Sequence, residues 1–284
     1  KTYNMSVDAL EAKLRAAEKT GRLPKVVMPV HMCGQPCDMQ AIAHLRERYG
    51  FRVIEDASHA LGARERGTPV GACTHSDVTV FSFHPVKIIT TGEGGMATSN
   101  DARLADRMRR LRSHGITREP EAMTHAPDGP WYYQQLELGF NYRMSDLQAA
   151  LGLSQLSRLD AYVARRHEIA GHYDRQLARL AITTPYCRAE ACSAWHLYVV
   201  SLQGSADAAR RLDIFNQLRA KGIGVNVHYI PVHTQPYYQA RGFAPKNFPA
   251  AMDYYQRAIS LPMYPGLSAE ELQLVVSAMA EVLA

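Results

Sequence analysis

Asp56, Ser82 and Lys87 are the residues of this 284-residue chain whose types and spacing could do chemistry together. Asp56 closes the apolar run FRVIED, Ser82 lies in DVTVFSFH, and Lys87 follows Pro85 just ahead of the glycine cluster TTGEGG. Singly, each has an ordinary explanation. An aspartate at a strand end commonly caps a turn or helix, and a loop lysine is commonly solvated. Jointly they offer an amine that forms imines, a carboxylate that keeps a ring nitrogen protonated, and a hydroxyl that can share a phosphate with backbone N–H groups. Glycines 92, 94 and 95 would let a backbone approach closely, and equally suit a tight turn.

The elements that must position these residues follow from hydrophobic periodicity. KVVMPVH (25–31), FRVIED (51–56), DVTVFSFH (77–84) and GGMATSN (94–100) read as strands, and MQAIAHLRERYG (39–50) as an intervening helix with a C-terminal glycine. The pattern predicts an α/β layer structure with a mostly parallel sheet. Such sheets bind ligands at the carboxyl ends of their strands, where His31, Asp56 and His84 fall. A helix over 101–115 and a polar, proline-containing loop come next. A second helix, opened by a Ser145/Gln148 capping box, carries Leu147, Ala150 and Leu151 on one face and runs with interruptions to about Leu180. The C-terminal part reads as strand 195–202, helix 207–222, strand 223–230, and helices over 251–259 and 268–284.

The net charge of +5 arises from 32 basic and 27 acidic residues spread along the chain, with one concentration in DRMRRLRSH (106–114). This favours phosphorylated small molecules over nucleic acid as partners. No apolar run approaches the roughly 20 residues of a membrane span, and the N-terminus lacks a signal-peptide core and an initiating methionine, so a cytoplasmic protein is expected. Five cysteines form no C-x-x-C pair. Cys33 and Cys37, with His31 nearby, leave a zinc site open against the reading as reduced thiols; His228 and His233 sit on an extended segment that would point them apart, and no metal is expected.

The charge requirements of Asp56, Ser82 and Lys87 are those of pyridoxal 5'-phosphate (PLP). EDASHALGA (55–63), FSFHPVKIITTGEGGM (81–96), LRSHGITRE (111–119) and LGFNYRMSDLQAALGLSQL (138–156) resemble the DegT/DnrJ family of PLP-dependent sugar aminotransferases. The likeness continues through WHLYVV and VNVHYIPVHTQPYY. It implies an aspartate-aminotransferase-like α/β fold (PLP fold type I), with residues 1–144 as part of the large domain, 145–180 as a linking helical stretch and 181–284 as a smaller α+β domain. Lys87 matches the lysine that holds the cofactor aldehyde, Asp56 the partner of the pyridinium nitrogen, and Ser82 the phosphate-binding serine. His59 stands where many relatives carry a glutamine near the ring hydroxyl. Asn141 matches an asparagine that crosses from a second subunit to the phosphate, which implies a homodimer with a shared active site. Val227, His228, Tyr229 and Ile230 match a sugar-nucleotide contact; His31 is either a further substrate contact or a capped strand end.

SHALGA, FSFHPVKIITTGEGG and VHYIPVHTQPYY look most like the branch that aminates a UDP-linked 4-keto-6-deoxy-N-acetylhexosamine with L-glutamate, in pseudaminic acid biosynthesis. Other 4-aminotransferases, of bacillosamine, perosamine or aminoarabinose type, remain alternatives, as does a PLP- or sugar-nucleotide-sensing protein without turnover. The family's 3-dehydratase branch carries histidine at the lysine position and fits less well, position 87 being lysine. Relatives carry a further stretch ahead of the first residue here, including a Ser-Gly-Thr-x-Ala-Leu-type turn, so the chain is expected to be N-terminally incomplete.

Overall fold

In the computed structural model, which describes residues 2–284, α1 (Val7–Lys19) leads to β1 (Val26–Val27), α2 (Met39–Tyr49) and β2 (Arg52–Asp56). A short hairpin of β3 (Arg64–Glu65) and β4 (Thr68–Pro69) precedes β5 (Val78–Ser82) and β6 (Gly95–Thr98). The main sheet has the order β1-β2-β5-β6. Its first two pairings are parallel and β6 returns antiparallel to β5. No helix lies between β5 and β6, and a parallel return would need such a crossover.

Helix α2 begins and ends where its sequence says it should. Asp38 accepts from Ala41 N at 3.1 Å, and Gly50, in the left-handed region, donates to Arg46 O. Leu14 of α1 and Met39, Ile42 and Leu45 of α2 bury one face of the sheet together with Val27 and Val53. On the other face Val26, Met28, Val30 and Val80 are exposed. The period-two alternation of β2 puts Asp56 on this open face, opposite Val53 and Glu55.

After β6 come α3 (Ala102–Leu111), the paired strands β7 (Ile116–Thr117) and β8 (Gln134–Gln135), α4 (Asp146–Leu156) and α5 (Leu159–Leu177). Ser145 and Gln148 form the expected reciprocal cap on α4. The leucine face of α4 is not core: no residue of the helix is buried, and Leu147 and Leu153 are 86% and 69% exposed.

The remaining elements are β9 (Ile182–Thr183), β10 (Ala191–Cys192), β11 (Tyr198–Leu202), α6 (Ala208–Ala220), α7 (Pro236–Gln239), α8 (Pro249–Arg257), β12 (Ala258–Leu261) and α9 (Ala269–Leu283). An antiparallel sheet of order β12-β11-β9 packs with α5, α6 and α9 around Tyr173, Tyr198, Leu218, Ile259 and Met279. Two expectations fail here. Residues 223–230 are not a strand: only Asn226 meets β12, by a two-way backbone exchange with Ser260. The helix expected over 251–259 stops at Arg257, and Ala258–Leu261, all four buried, form the strand that pairs along β11. Strand β10 pairs with β3, and Arg188 bridges to Asp38 and Glu65 at 2.8 Å each, so residues 188–192 lie against the first part of the chain. Among the described residues no helix is long and apolar enough to cross a membrane.

Candidate active site

The register of the main sheet sets the first part of the site. Asp56 pairs with Val80 in the parallel β2–β5 ladder, and Ser82 lies two residues further on the same face of β5. The opposite face carries Thr79, whose hydroxyl donates to Glu55 at 2.8 Å. Beyond Ser82 the chain enters a loop closed on Phe83, whose N–H donates to Gly94 O while its carbonyl accepts from Thr91 N and the Thr90 hydroxyl. Ile88 and Ile89 are buried among Ala57, Ala60, Phe81 and Phe83 and anchor this loop. Lys87 is therefore held by its neighbours, its own N–H donating to His84 O at 2.9 Å. Its ammonium group has no hydrogen bond or ion pair among the described residues.

The turn after β2 brings His59 to the same place. Ala57 N donates to Val80 O, and Ser58 N donates to Asp56 Oδ1 at 3.0 Å, which orients the carboxylate. Gly34, at φ +97, closes on this turn from the other side. A Cβ there would lie 2.9 Å from His59 O and 3.0 Å from the backbone nitrogens of Trp195 and His196, so only glycine lets the three segments meet. The His59 and His196 rings stand 4.3 Å apart, and His59 Nε2 lies 3.1 Å from the Tyr229 hydroxyl. His228, next to Tyr229, is fixed by Nδ1 to the Ser260 hydroxyl at 2.7 Å and by its carbonyl, which accepts from Tyr254.

These groups share one electrostatic environment. Burial lowers the Lys87 pKa and the Asp56 carboxylate partly restores it. His59 is pushed down to about 4 by burial and by Lys87, against the pull of Asp56, with His228 adding to the fall. His196 is pushed down to about 2, chiefly by burial, with His59 and Lys87 contributing. His228 is lowered by burial and by Lys87. All three imidazoles are thus neutral beside the lysine at physiological pH.

Of the residues singled out in the sequence, Asp56, His59, Lys87, His228 and Tyr229 converge, with Ser82 on the adjoining strand end. Val227 is half-buried and Ile230 exposed at the margin. Asn141 is exposed on a separate segment, paired by backbone with Ser113, and makes no hydrogen bond to the Lys87 group among the described residues. His31 has the structural of its two roles. It is fully buried, its Nδ1 accepts from Cys37 N at 3.0 Å and its Nε2 donates to Glu55 at 2.7 Å, so neither nitrogen faces a ligand. Cys33 and Cys37 are also spoken for. Burial pushes both thiols up to about 12, the Cys37 thiol donates to Val30 O, and among the described residues no three His, Cys, Asp or Glu side chains could share a metal. His196, Ser260 and Tyr254 were missed, because His196 opens an apolar strand and the other two sit in segments read as helix or loop. A histidine at the start of WHLYVV was the one available signal.

The site fits PLP on its own donors. Lys87 supplies an amine without a partner, Asp56 a carboxylate not held in any ion pair, and His59 Nδ1 and His196 Nδ1 are buried polar atoms without partners. A half-buried lysine in the loop beyond β5, coupled to an oriented aspartate at the end of β2, suits a Schiff-base cofactor with a basic ring such as PLP. A profile of the DegT/DnrJ/EryC1/StrS aminotransferase family matches residues 1–280, and the chain belongs to that family. It is 38% identical over 281 residues to the spore coat polysaccharide biosynthesis protein SpsC of Bacillus subtilis, covering 98% of this chain and 70% of SpsC. Among solved structures it resembles the putative sugar aminotransferase Spr1654 from Streptococcus pneumoniae in its PMP form (TM-score 0.88, 30% identity, 99% of this chain and 73% of that one). It also resembles Helicobacter pylori PseC, an aminotransferase involved in the biosynthesis of pseudoaminic acid (TM-score 0.88, 29% identity, 99% and 71%). The chain is thus a PLP-using member of a family of sugar aminotransferases.

Proposed function

We propose that the protein transfers an amino group from L-glutamate to C4 of a nucleotide-linked 4-keto-6-deoxy sugar, with UDP-2-acetamido-2,6-dideoxy-β-L-arabino-hexos-4-ulose as the substrate and pseudaminic acid biosynthesis as the setting. The observation that carries this reading is Lys87, half-buried, unpaired and electrostatically coupled to Asp56, His59 and His228. The likeness to PseC supports the choice of sugar.

PLP, when bound, supplies an aldehyde and an electron-withdrawing ring that makes the Cα–H of an amino acid acidic. The chain supplies the rest. Lys87 Nζ would hold the aldehyde and, as a free amine, would take a proton at the donor Cα and return one at the sugar C4; its lowered pKa keeps more of it in the basic form. Asp56 would hold positive charge at the ring nitrogen. The Ser82 hydroxyl would donate to the phosphate, and Val227, His228, Tyr229 and Ile230 would orient the sugar nucleotide at the margin of the site. Asn141 reaches the site from a second copy of the chain, so the working unit is a homodimer.

A second reading has its own support. The 38% identity to SpsC favours a sugar destined for a surface polysaccharide, and hence another nucleotide-linked keto sugar. One experiment separates these readings. Borohydride reduction in the presence of PLP should leave a phosphopyridoxyl adduct on the Lys87 peptide, and a panel of UDP- and GDP-linked 4-keto sugars with glutamate should show a single preferred acceptor. Lys87→Ala should lose both adduct and turnover; normal turnover by that variant removes Lys87 from its role. A GDP-linked acceptor would replace the first reading by the second.

A further inference from the structure

We propose that Tyr229 is a positioning residue that fixes His59 as an Nδ1–H donor, presenting that N–H to an anionic oxygen of the bound ligand. The inference rests on the site being a PLP site and concerns how two parts of the chain set one proton within it.

The hydrogen bond between the Tyr229 hydroxyl and His59 Nε2 joins residues 170 apart in sequence, one on the turn after β2 and one on the irregular segment ahead of Pro231. A phenol O–H is a stronger acid than an imidazole N–H, and the unprotonated imidazole nitrogen is a better acceptor than a phenol oxygen. Tyr229 therefore donates and Nε2 accepts. Burial raises the Tyr229 pKa, so the hydroxyl keeps its proton to give. His59 is neutral, and a neutral imidazole carries one proton, so it sits on Nδ1. That Nδ1 is buried and has no partner among the described residues. The nearest alternative acceptor, the ring of His196, does not take it: His196 Nδ1 is itself buried without a partner. A buried N–H without an acceptor costs free energy until one arrives. The groups around it are Lys87 and Asp56, which bind the cofactor in the reading above, and His228 of the sugar-nucleotide contact. Tyr229 is half-exposed on the segment read as the sugar-nucleotide contact, so the bond also ties that segment to the cofactor side of the site.

The test begins with the cofactor-free protein, using long-range proton–nitrogen correlation spectra of the histidine rings, the His59 signal being assigned by its absence from His59→Gln. Wild-type protein near neutral pH is expected to show His59 as the Nδ1–H tautomer. Tyr229→Phe, which removes one oxygen from a half-exposed side chain, is expected to move His59 to the Nε2–H tautomer or to a mixture. The PLP dissociation constant should rise about fivefold, the size of one lost hydrogen bond. An Nε2–H tautomer in wild-type protein, or an unchanged Nδ1–H tautomer in Tyr229→Phe, overturns the proposal; an unchanged dissociation constant beside an altered tautomer overturns its ligand half. If wild-type protein shows the Nδ1–H tautomer but takes no PLP onto Lys87, the cofactor reading falls while the Tyr229–His59 link stands.

Discussion

Two buried imidazoles beside Lys87 give the protein a defined acid sensitivity. Imidazole protonates near 6.5 in an unfolded chain, whereas His59 and His196 hold out to about 4 and about 2 in the fold. As pH falls through 6.5 the unfolded state gains protons that the folded state refuses, so stability is lost progressively from there down to the folded values. Each histidine should cost about 2 kcal/mol between pH 7 and pH 5. Lys87, also depressed, moves stability in the same direction in the alkaline range, where rising pH favours the fold. Urea unfolding at pH 7 and pH 5 checks this: the midpoint at pH 5 should drop well below its pH 7 value, and an unchanged midpoint would mean these rings are not held neutral. At this scale the sequence put Asp56 at the end of one apolar strand and Lys87 in the loop beyond the next, and the structure brings the two into one electrostatic environment. The sequence left two roles open at His31, whose strand-end position is like that of Asp56 but whose ring is consumed by Glu55 and Cys37. Nothing in residue order reveals which of two strand-end side chains finds its partners within the protein.

Among the elements, the tightest local requirement is where β6 meets β5. Gly95 pairs with Ser82, and a Cβ there would lie 2.6 Å from Phe81 O, a backbone atom that cannot swing aside. Gly95→Ala should therefore part the strands, destabilise by roughly 1–3 kcal/mol as overpacking does, and weaken PLP binding by shifting Ser82. Thermal melting and PLP titration read the two effects separately; a variant that melts and binds like wild type would show that the strand pair is more pliant than its geometry. The glycine cluster was visible in the sequence, but its reason was not, because it lies in an approach from the neighbouring strand. Long-range pairing explains the other gaps. Helix α2 carries its own caps and was legible within two residues of each end. Strand β12 is four residues long, follows a helix without a turn, and is a strand only because β11 lies alongside. Residues 223–230 have strand-like composition yet meet β12 at a single residue, so propensity there lost to the available edge.

At the scale of the whole molecule, Asn141 makes no hydrogen bond to the Lys87 group among the described residues. It lies between Phe140 and Tyr142, whose rings stack at 4.8 Å while both remain exposed, and ahead of α4, a leucine-rich helix with no buried residue. Exposed leucines and aromatics grouped in this way call for a partner. A second copy that brings Asn141 to the cofactor site would cover it and complete that site at once. A two-fold arrangement of that kind would make a sharp prediction. Lys87→Ala and Asn141→Ala homodimers should each be inactive or severely impaired. In a hybrid of the two, one site combines both defects and the other has an intact Lys87 with an intact Asn141 from its partner. Co-expressed at equal levels, with half the dimers hybrid, the pair should recover about a quarter of wild-type activity. If Asn141 served its own subunit, every site in the hybrid would carry one defect and no activity would return, and that result would sink the shared site whatever the protein weighs in solution. Leu147→Asp on the exposed face of α4 should abolish the recovery by separating the copies, which ties the regained activity to this surface.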